Sequence, residues 1–204
     1  MSVDITRKNI QNHLLPGVVL VVIVVGFVLL LPKQAQMPTE SPNLPAKTAP
    51  AGPVMTEAAP TKLSIPKLKI ETTFEKPLGL NEDGGSEVPK SYTQVGWYEY
   101  GPTPGEYGPA VILGHVDSVS GPAVFFSLGQ LEAGDDVYID RADGSVAHFV
   151  VEKLERYEQV AFPTAKVYGN IDHAGLRLIT CSGTFKKGEQ RYTHNLVVYA
   201  KLVE

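Results

Sequence analysis

Cys181 is the single cysteine of the chain. It closes the apolar run Leu176-Arg177-Leu178-Ile179-Thr180 and leads into Ser182-Gly183. A thiol at a strand end sits at the rim of a core, where a substrate can reach it. As a thiolate it is a nucleophile for acyl transfer. The competing reading is a buried, inert cysteine, the commoner fate of this residue. A nucleophilic cysteine needs an imidazole to stabilise the thiolate or take its proton. Five histidines are available: His13, His115, His148, His173 and His194. His115 is placed like Cys181. It follows Val111-Ile112-Leu113-Gly114, a buried strand ending in glycine, and precedes Val116-Asp117-Ser118. A histidine that merely caps a turn is the alternative. His148 reads as a solvated strand residue and His173 as a surface-loop residue.

Acyl transfer also develops an oxyanion, which a cation or hydrogen-bond donors must stabilise. Arg191 is the only arginine after Cys181 and lies ten residues beyond it. If both flank one hairpin loop, the guanidinium is near the thiol. In an unbroken last strand, Arg191, Thr193, Asn195, Val197 and Tyr199 share one face, and His194 points away. An arginine paired with Glu189 at the loop edge is the alternative.

The elements that would position these residues are mainly β. Lys62–Ile70 alternates around Pro66 and fits an edge strand or two short strands. Val95-Gly96-Trp97-Tyr98 is a short aromatic strand, and Ala110–Leu113 reads as fully buried. Phe125–Leu131 fits a short helical turn. Asp136–Arg141 and Val146–Val151 flank Ala142-Asp143-Gly144-Ser145, a hairpin with Asp-Gly in its turn. Gly175–Cys181 and Tyr192–Val203 complete the set. Short strands separated by regular turn signals predict a closed or nearly closed β-barrel over residues 61–204. A domain of that size buries roughly 68% of its unfolded surface in one core.

Residues before 61 read differently. Residues 14–31 form an apolar run without a charge. As a helix it is about 27 Å long, near the ~30 Å hydrocarbon core of a bilayer. Arg7 and Lys8 precede it and only Lys33 follows closely. The expectation is a transmembrane helix over 14–31, a cytoplasmic N-terminus over 1–13, and the rest of the chain outside the cell. Residues 32–60 hold seven prolines and predict a semi-stiff extracellular linker. The net charge is −4, which leaves no basic surplus for bulk nucleic-acid binding. One cysteine excludes an intrachain disulfide framework and Cys-rich zinc sites.

Taken together, an N-terminal anchor, a β-barrel, a strand-end Gly114-His115, the pattern Leu178-Ile179-Thr180-Cys181 and an arginine opening the last strand resemble the sortases. Val111–Ser118, Gly121–Phe126 and Val95–Tyr98 are most similar to class F. The resemblance spans roughly residues 61–204. It implies a closed eight-stranded sortase-type barrel with short helices and a membrane-anchored cysteine transpeptidase. Cys181 would attack the threonine carbonyl of a Leu-Pro-x-Thr-Gly-type sorting motif. His115 would protonate the leaving amine and deprotonate the incoming one, and Arg191 would hold the oxyanion. Thr180 and Asn195 would contact substrate. The implied partners are surface proteins with a C-terminal sorting motif and an amine such as a peptidoglycan precursor peptide. No cofactor or metal is required. Sortase arginines usually lie deeper in the last strand, near Asn195 here, and Cys181-Ser182-Gly183 departs from the Cys-Gly-Gly of class F. A hydrolytic cysteine endopeptidase and a non-catalytic, stalked surface-binding module are the alternatives. An L,D-transpeptidase is disfavoured because no Ser-His-Gly-Cys-like segment occurs.

Overall fold

The computed structural model describes residues 51–203. The expected cytoplasmic segment, the apolar span 14–31 and most of the Pro-rich linker lie outside the described residues. Among the described residues, no helix is long and apolar enough to cross a membrane.

The chain forms strands β1 (Pro60–Ile65), β2 (Ile70–Thr73), β3 (Gly96–Trp97), β4 (Gly108–Leu113), β5 (Asp117–Ser118), β6 (Gly121–Pro122), β7 (Asp136–Arg141) and β8 (Val146–Glu158). A short helix α1 (Thr164–Tyr168) precedes β9 (Ala174–Lys186) and β10 (Arg191–Leu202). One eight-stranded sheet has the order β2-β1-β7-β8-β10-β9-β4-β3, and β5 with β6 makes a separate hairpin. Pro66 ends β1, because proline cannot donate to a ladder. A single turn follows, with Lys69 at φ 53°, and β2 folds back on β1. The Asp143-Gly144 turn joins β7 to β8 as expected, with Gly144 at φ 82°.

The sheet curls around an interior packed by Leu63, Ile65, Val137, Ile139, Phe149 and Leu176. A second cluster lies on the outer face of β4, β9 and β10, where Val111, Ile179, Val197 and Tyr199 meet Val167 of α1. These three strands are therefore covered on both sides. That accounts for the continuous apolar runs at Ala110–Leu113 and Leu196–Ala200, whereas β7 and early β8 alternate between buried and partly exposed residues.

The expected closure of the barrel does not occur. The edge strands β2 and β3 share no ladder. Isolated bridges, Phe74 to Val95 and Leu78 to Tyr98, and side-chain hydrogen bonds such as Gln94 Nε2 to Thr73 Oγ1 span the gap. The cause is local. β3 is two residues long, and the chain entering it carries Pro77, Gly79, Gly84, Gly85 and Pro89, which interrupt extended pairing. The result is an open, curled sheet with one irregular side.

Candidate active site

One ladder brings His115 and Cys181 to the same rim. β4 and β9 are parallel, with Leu113 paired to Ile179. Gly114 N continues the ladder by donating to Ile179 O at 3.1 Å. His115 and Cys181 are each two residues beyond that pair, so both leave the sheet at the same level and end. Gly114 is required there by packing. A Cβ at this position would lie 2.5 Å from the Phe125 ring, which is fully buried beneath it. Phe125 N in turn donates to His115 O at 2.9 Å. His115 Nε2 lies 2.7 Å from Pro89 O. A carbonyl only accepts, so Nε2 carries the proton and Nδ1 is left as the basic nitrogen. The Tyr92 ring packs on the imidazole at 4.7 Å.

His115 and Cys181 also line two cavities together. The first has a volume of about 450 Å³ and is walled by apolar groups that include Val88, Tyr98, Phe162, Tyr168 and Ile179. The second, of about 540 Å³, is lined by Asp117, Val119, Phe185, Arg191 and Tyr192. Burial pushes the Cys181 thiol pKa up, the Gln159 amide opposes that shift, and the Asp117 charge adds to it. Gln159 Nε2 lies 3.7 Å from Cys181 Sγ and donates to Asn195 Oδ1 at 2.9 Å. Asn195 is the direct cross-strand partner of Cys181.

The other residues expected at the site divide. Asn195 lines the first cavity. Thr180 does too, but its hydroxyl is buried without a hydrogen-bond partner. Strand alternation turns its side chain inward, to the side of Leu178 and Leu196. Arg191 lies at the far side of a register shift in which Gly183 and Thr184 face the single residue Thr193. Gly183 has φ 81°, and a Cβ there would collide with Thr193 Oγ1 and His194 Nδ1. Beyond this bulge the Arg191 guanidinium engages Glu189, through Nε at 2.7 Å and a second nitrogen at 2.5 Å. It lines the second cavity with Cys181 but not the first. His148 pairs with Asp136 at 2.8 Å and His173 with Asp172 at 2.9 Å. His194 contacts Thr193 Oγ1 at 2.7 Å.

A sortase domain family profile matches residues 63–203. The chain belongs to the sortase family. Sortases as a family are cysteine transpeptidases. No curated protein sequence matched the chain significantly. Among solved structures, sortase A from Corynebacterium diphtheriae is 18% identical, with a TM-score of 0.55 over 73% of this chain and 62% of that one. Sortase C1 from Streptococcus agalactiae is 20% identical, with a TM-score of 0.55 over 71% of this chain and 67% of that one. Sortase C-1 from Actinomyces oris is 19% identical, with a TM-score of 0.55 over 70% and 73%. At these identities the likeness establishes the fold. The chain spans under two thirds of the length of the first of these structures.

Two parts of this sortase's site carried no sequence signal. Gln159 begins a single turn of 3-10 helix at the end of β8, 22 residues from Cys181, and reaches the sulfur across β10. Tyr192 donates its hydroxyl to Asp117 Oδ2 and so ties β10 to the β5–β6 hairpin over the second cavity. That carboxylate, followed by burial, pushes the Tyr192 pKa up to about 12, so the phenol stays a donor at neutral pH.

Proposed function

We propose that this sortase cleaves a Leu-Pro-x-Thr-Gly-type motif between Thr and Gly and joins the threonine to an amine. The observation that carries the reading is the parallel β4–β9 register, which places His115 and Cys181 on one rim above two shared cavities. The Cys181 thiol passes its proton to His115 as the sulfur attacks the threonine carbonyl carbon. A C–S bond forms and the carbonyl electron pair moves to oxygen. Collapse of this intermediate breaks the C–N bond, and His115 gives a proton to the departing glycine amine. An incoming amine attacks the thioester and loses a proton to His115. The C–S bond then breaks and the thiolate returns. The first cavity, apolar and aromatic, suits the Leu-Pro part of the motif. The second opens on the other side of the same pair and suits the amine. Thr180 acts through its strand position, and Arg191, paired with Glu189, lines the second cavity with Cys181.

The natural reading of the whole chain is a class F-like sortase, anchored by residues 14–31, with the catalytic domain outside the cell. There it attaches surface proteins to a cell-wall precursor amine. Measurement of product partition separates this from a hydrolytic endopeptidase. With a quenched Leu-Pro-x-Thr-Gly peptide, adding a primary amine is expected to divert product into an amine-ligated species. Equal yields of free acid with and without amine would instead identify a hydrolase.

A further inference from the structure

We propose that Asp117 receives the ammonium of the incoming nucleophile in the second cavity, and that this nucleophile is an amine carried on an alkyl chain, as in a lysine side chain. The proposal rests on the sortase reading above and deepens it, naming the chemistry of the acceptor and the residue that selects it. Three observations carry it.

The first is the difference in charge between the two cavities. Among the described residues, no Asp or Glu lines the first cavity, and Asp117 is the one carboxylate lining the second. Arg191 lines the second cavity too, with its charge offset by Glu189 at 2.5 Å. The guanidinium suits the oxyanion, and the carboxylate suits a cation. The second observation is the state of that carboxylate. Asp117 is half-buried at the start of β5, and Tyr192 donates its hydroxyl to Oδ2. Among the described residues, Oδ1 has no hydrogen-bond partner and no cation pairs with the group. A carboxylate held in place with one oxygen open is a ready acceptor for a hydrogen-bonding cation. The third is the surface around it. Tyr92, Val119 and Phe185 are large apolar side chains left exposed, and all three line this cavity. Phe185 packs on the Tyr192 ring at 5.2 Å. The methylenes of an alkyl chain bury against such a surface, and the ring faces attract its charged end. The α-ammonium of a glycine has no such chain and gains little there.

A lysine-type amine, of pKa about 10.4, arrives protonated at neutral pH. Asp117 holds this ammonium by a charge-assisted hydrogen bond. The Asp117 charge is felt at the sulfur, where it adds to the rise in the Cys181 pKa. A cation bound to it therefore stands beside the thioester. The ammonium gives one proton to water. Its nitrogen then attacks the carbonyl carbon, a C–N bond forms, and a second proton passes to His115 as the C–S bond breaks. Asp117 stays ionised throughout. Its part is to concentrate the amine against water, which competes for the same thioester.

The test compares Asp117→Asn and Tyr192→Phe with wild type in the full chain. Ligated and hydrolysed products of a motif peptide are measured with three nucleophiles: Nα-acetyl-lysine amide, triglycine, and hydroxylamine, which is largely uncharged at neutral pH. Wild type is expected to ligate the lysine derivative at a lower KM than triglycine. Asp117→Asn keeps an oxygen for the Tyr192 hydroxyl but loses the charge. It is expected to raise the KM of the lysine derivative about 10-fold, the scale of one hydrogen bond to a charged group, with a smaller effect on hydroxylamine. Tyr192→Phe keeps the ring and the carboxylate, and is expected to retain the preference for the lysine derivative. A loss in Tyr192→Phe equal to that in Asp117→Asn would make Asp117 a brace for the hairpin and overturn the proposal. An equal loss with hydroxylamine, or a wild-type preference for triglycine, would overturn it as well. A second readout needs no peptide: the rate of Cys181 modification by aminoethyl methanethiosulfonate, a cation, relative to neutral methyl methanethiosulfonate. This ratio is expected to fall severalfold in Asp117→Asn, and an unchanged ratio overturns the proposal. If wild type cleaves no motif peptide, the sortase reading of this site fails, while the reagent ratio still decides whether Asp117 draws an alkylammonium to the thiol.

Discussion

Burial sets the resting state of the nucleophile. Cys181 is half-buried at the strand end, and removal of water from the thiolate is the largest influence on its pKa. Burial pushes the thiol pKa up, so the protonated form is favoured at neutral pH. The enzyme therefore rests as a thiol, and attack requires proton removal at the moment of reaction. In the proposed mechanism His115, with Nε2 on Pro89 O, takes that proton. The alkylation rate of wild-type Cys181 is expected to keep climbing through pH 9. A plateau by pH 7 would show a stabilised thiolate and contradict this account. The strand-end placement of Cys181 and His115 was legible in the sequence because each follows an apolar run. Gln159 was not, because an isolated glutamine in a polar turn looks like any solvated residue.

At the scale of elements, the site depends on how β8, β10 and α1 are held together. Glu155 of β8 meets Lys153 at 2.6 Å and Lys166 of α1 at 2.5 Å, and it accepts from Tyr157. Tyr157 also contacts Tyr199 of β10 at 2.9 Å. This network braces α1, whose Thr164 and Tyr168 line the first cavity. The hydrogen bonds from Lys153, Lys166 and Tyr157 hold the Glu155 pKa down at about 2, against 4.5 in the absence of partners. A depressed carboxylate stabilises the fold above its unfolded pKa and loses that contribution as pH falls through the folded value. Wild type is thus expected to melt higher than Glu155→Gln at pH 7, with the gap closing between about pH 4.5 and 2. Both lysines are about half exposed, so the neutral-pH gain is modest, about 1 kcal/mol or less. A gap independent of pH would contradict the assignment. The hairpin of β7 and β8 was legible from Asp143-Gly144, and the buried strands from their apolar runs. The parallel pairing of β4 with β9 was not, since hydropathy says which faces are buried but not which strands meet. The bulge at Gly183 was equally hidden. Alternation assumes an unbroken strand, and the expectation that Arg191 shares a face with Asn195 rested on alternation.

For the molecule as a whole, the folded unit begins before β1. Residues 51–59 are tied to the domain by Ala51 N to Asp172 O and Met55 N to Gly105 O, both at 2.8 Å, and by Ala58 N to Thr103 Oγ1 at 3.1 Å. Arg141, only 3% exposed, donates to Thr56 O and to Ser145 Oγ at 2.9 Å. Removing residues 51–59 leaves this buried cation short of an acceptor. A chain starting at residue 61 is expected to be less stable than one starting at residue 51 by roughly 1–3 kcal/mol, read as a lower Tm. Equal Tm values would show that this segment contributes nothing. The proline content of residues 32–60 signals a linker, but composition alone does not show where docking begins, because the contacts that hold this segment come from distant residues.

The most direct test of the central claim is to trap the acyl-enzyme. The full chain is mixed with a Leu-Pro-x-Thr-Gly peptide, quenched in acid and weighed intact. The account predicts a mass increase equal to the peptide up to its threonine, lost with hydroxylamine, absent in Cys181→Ala, and discharged when a primary amine is added before the quench. An adduct that survives Cys181→Ala, or peptide cleaved without any adduct on Cys181, would contradict it.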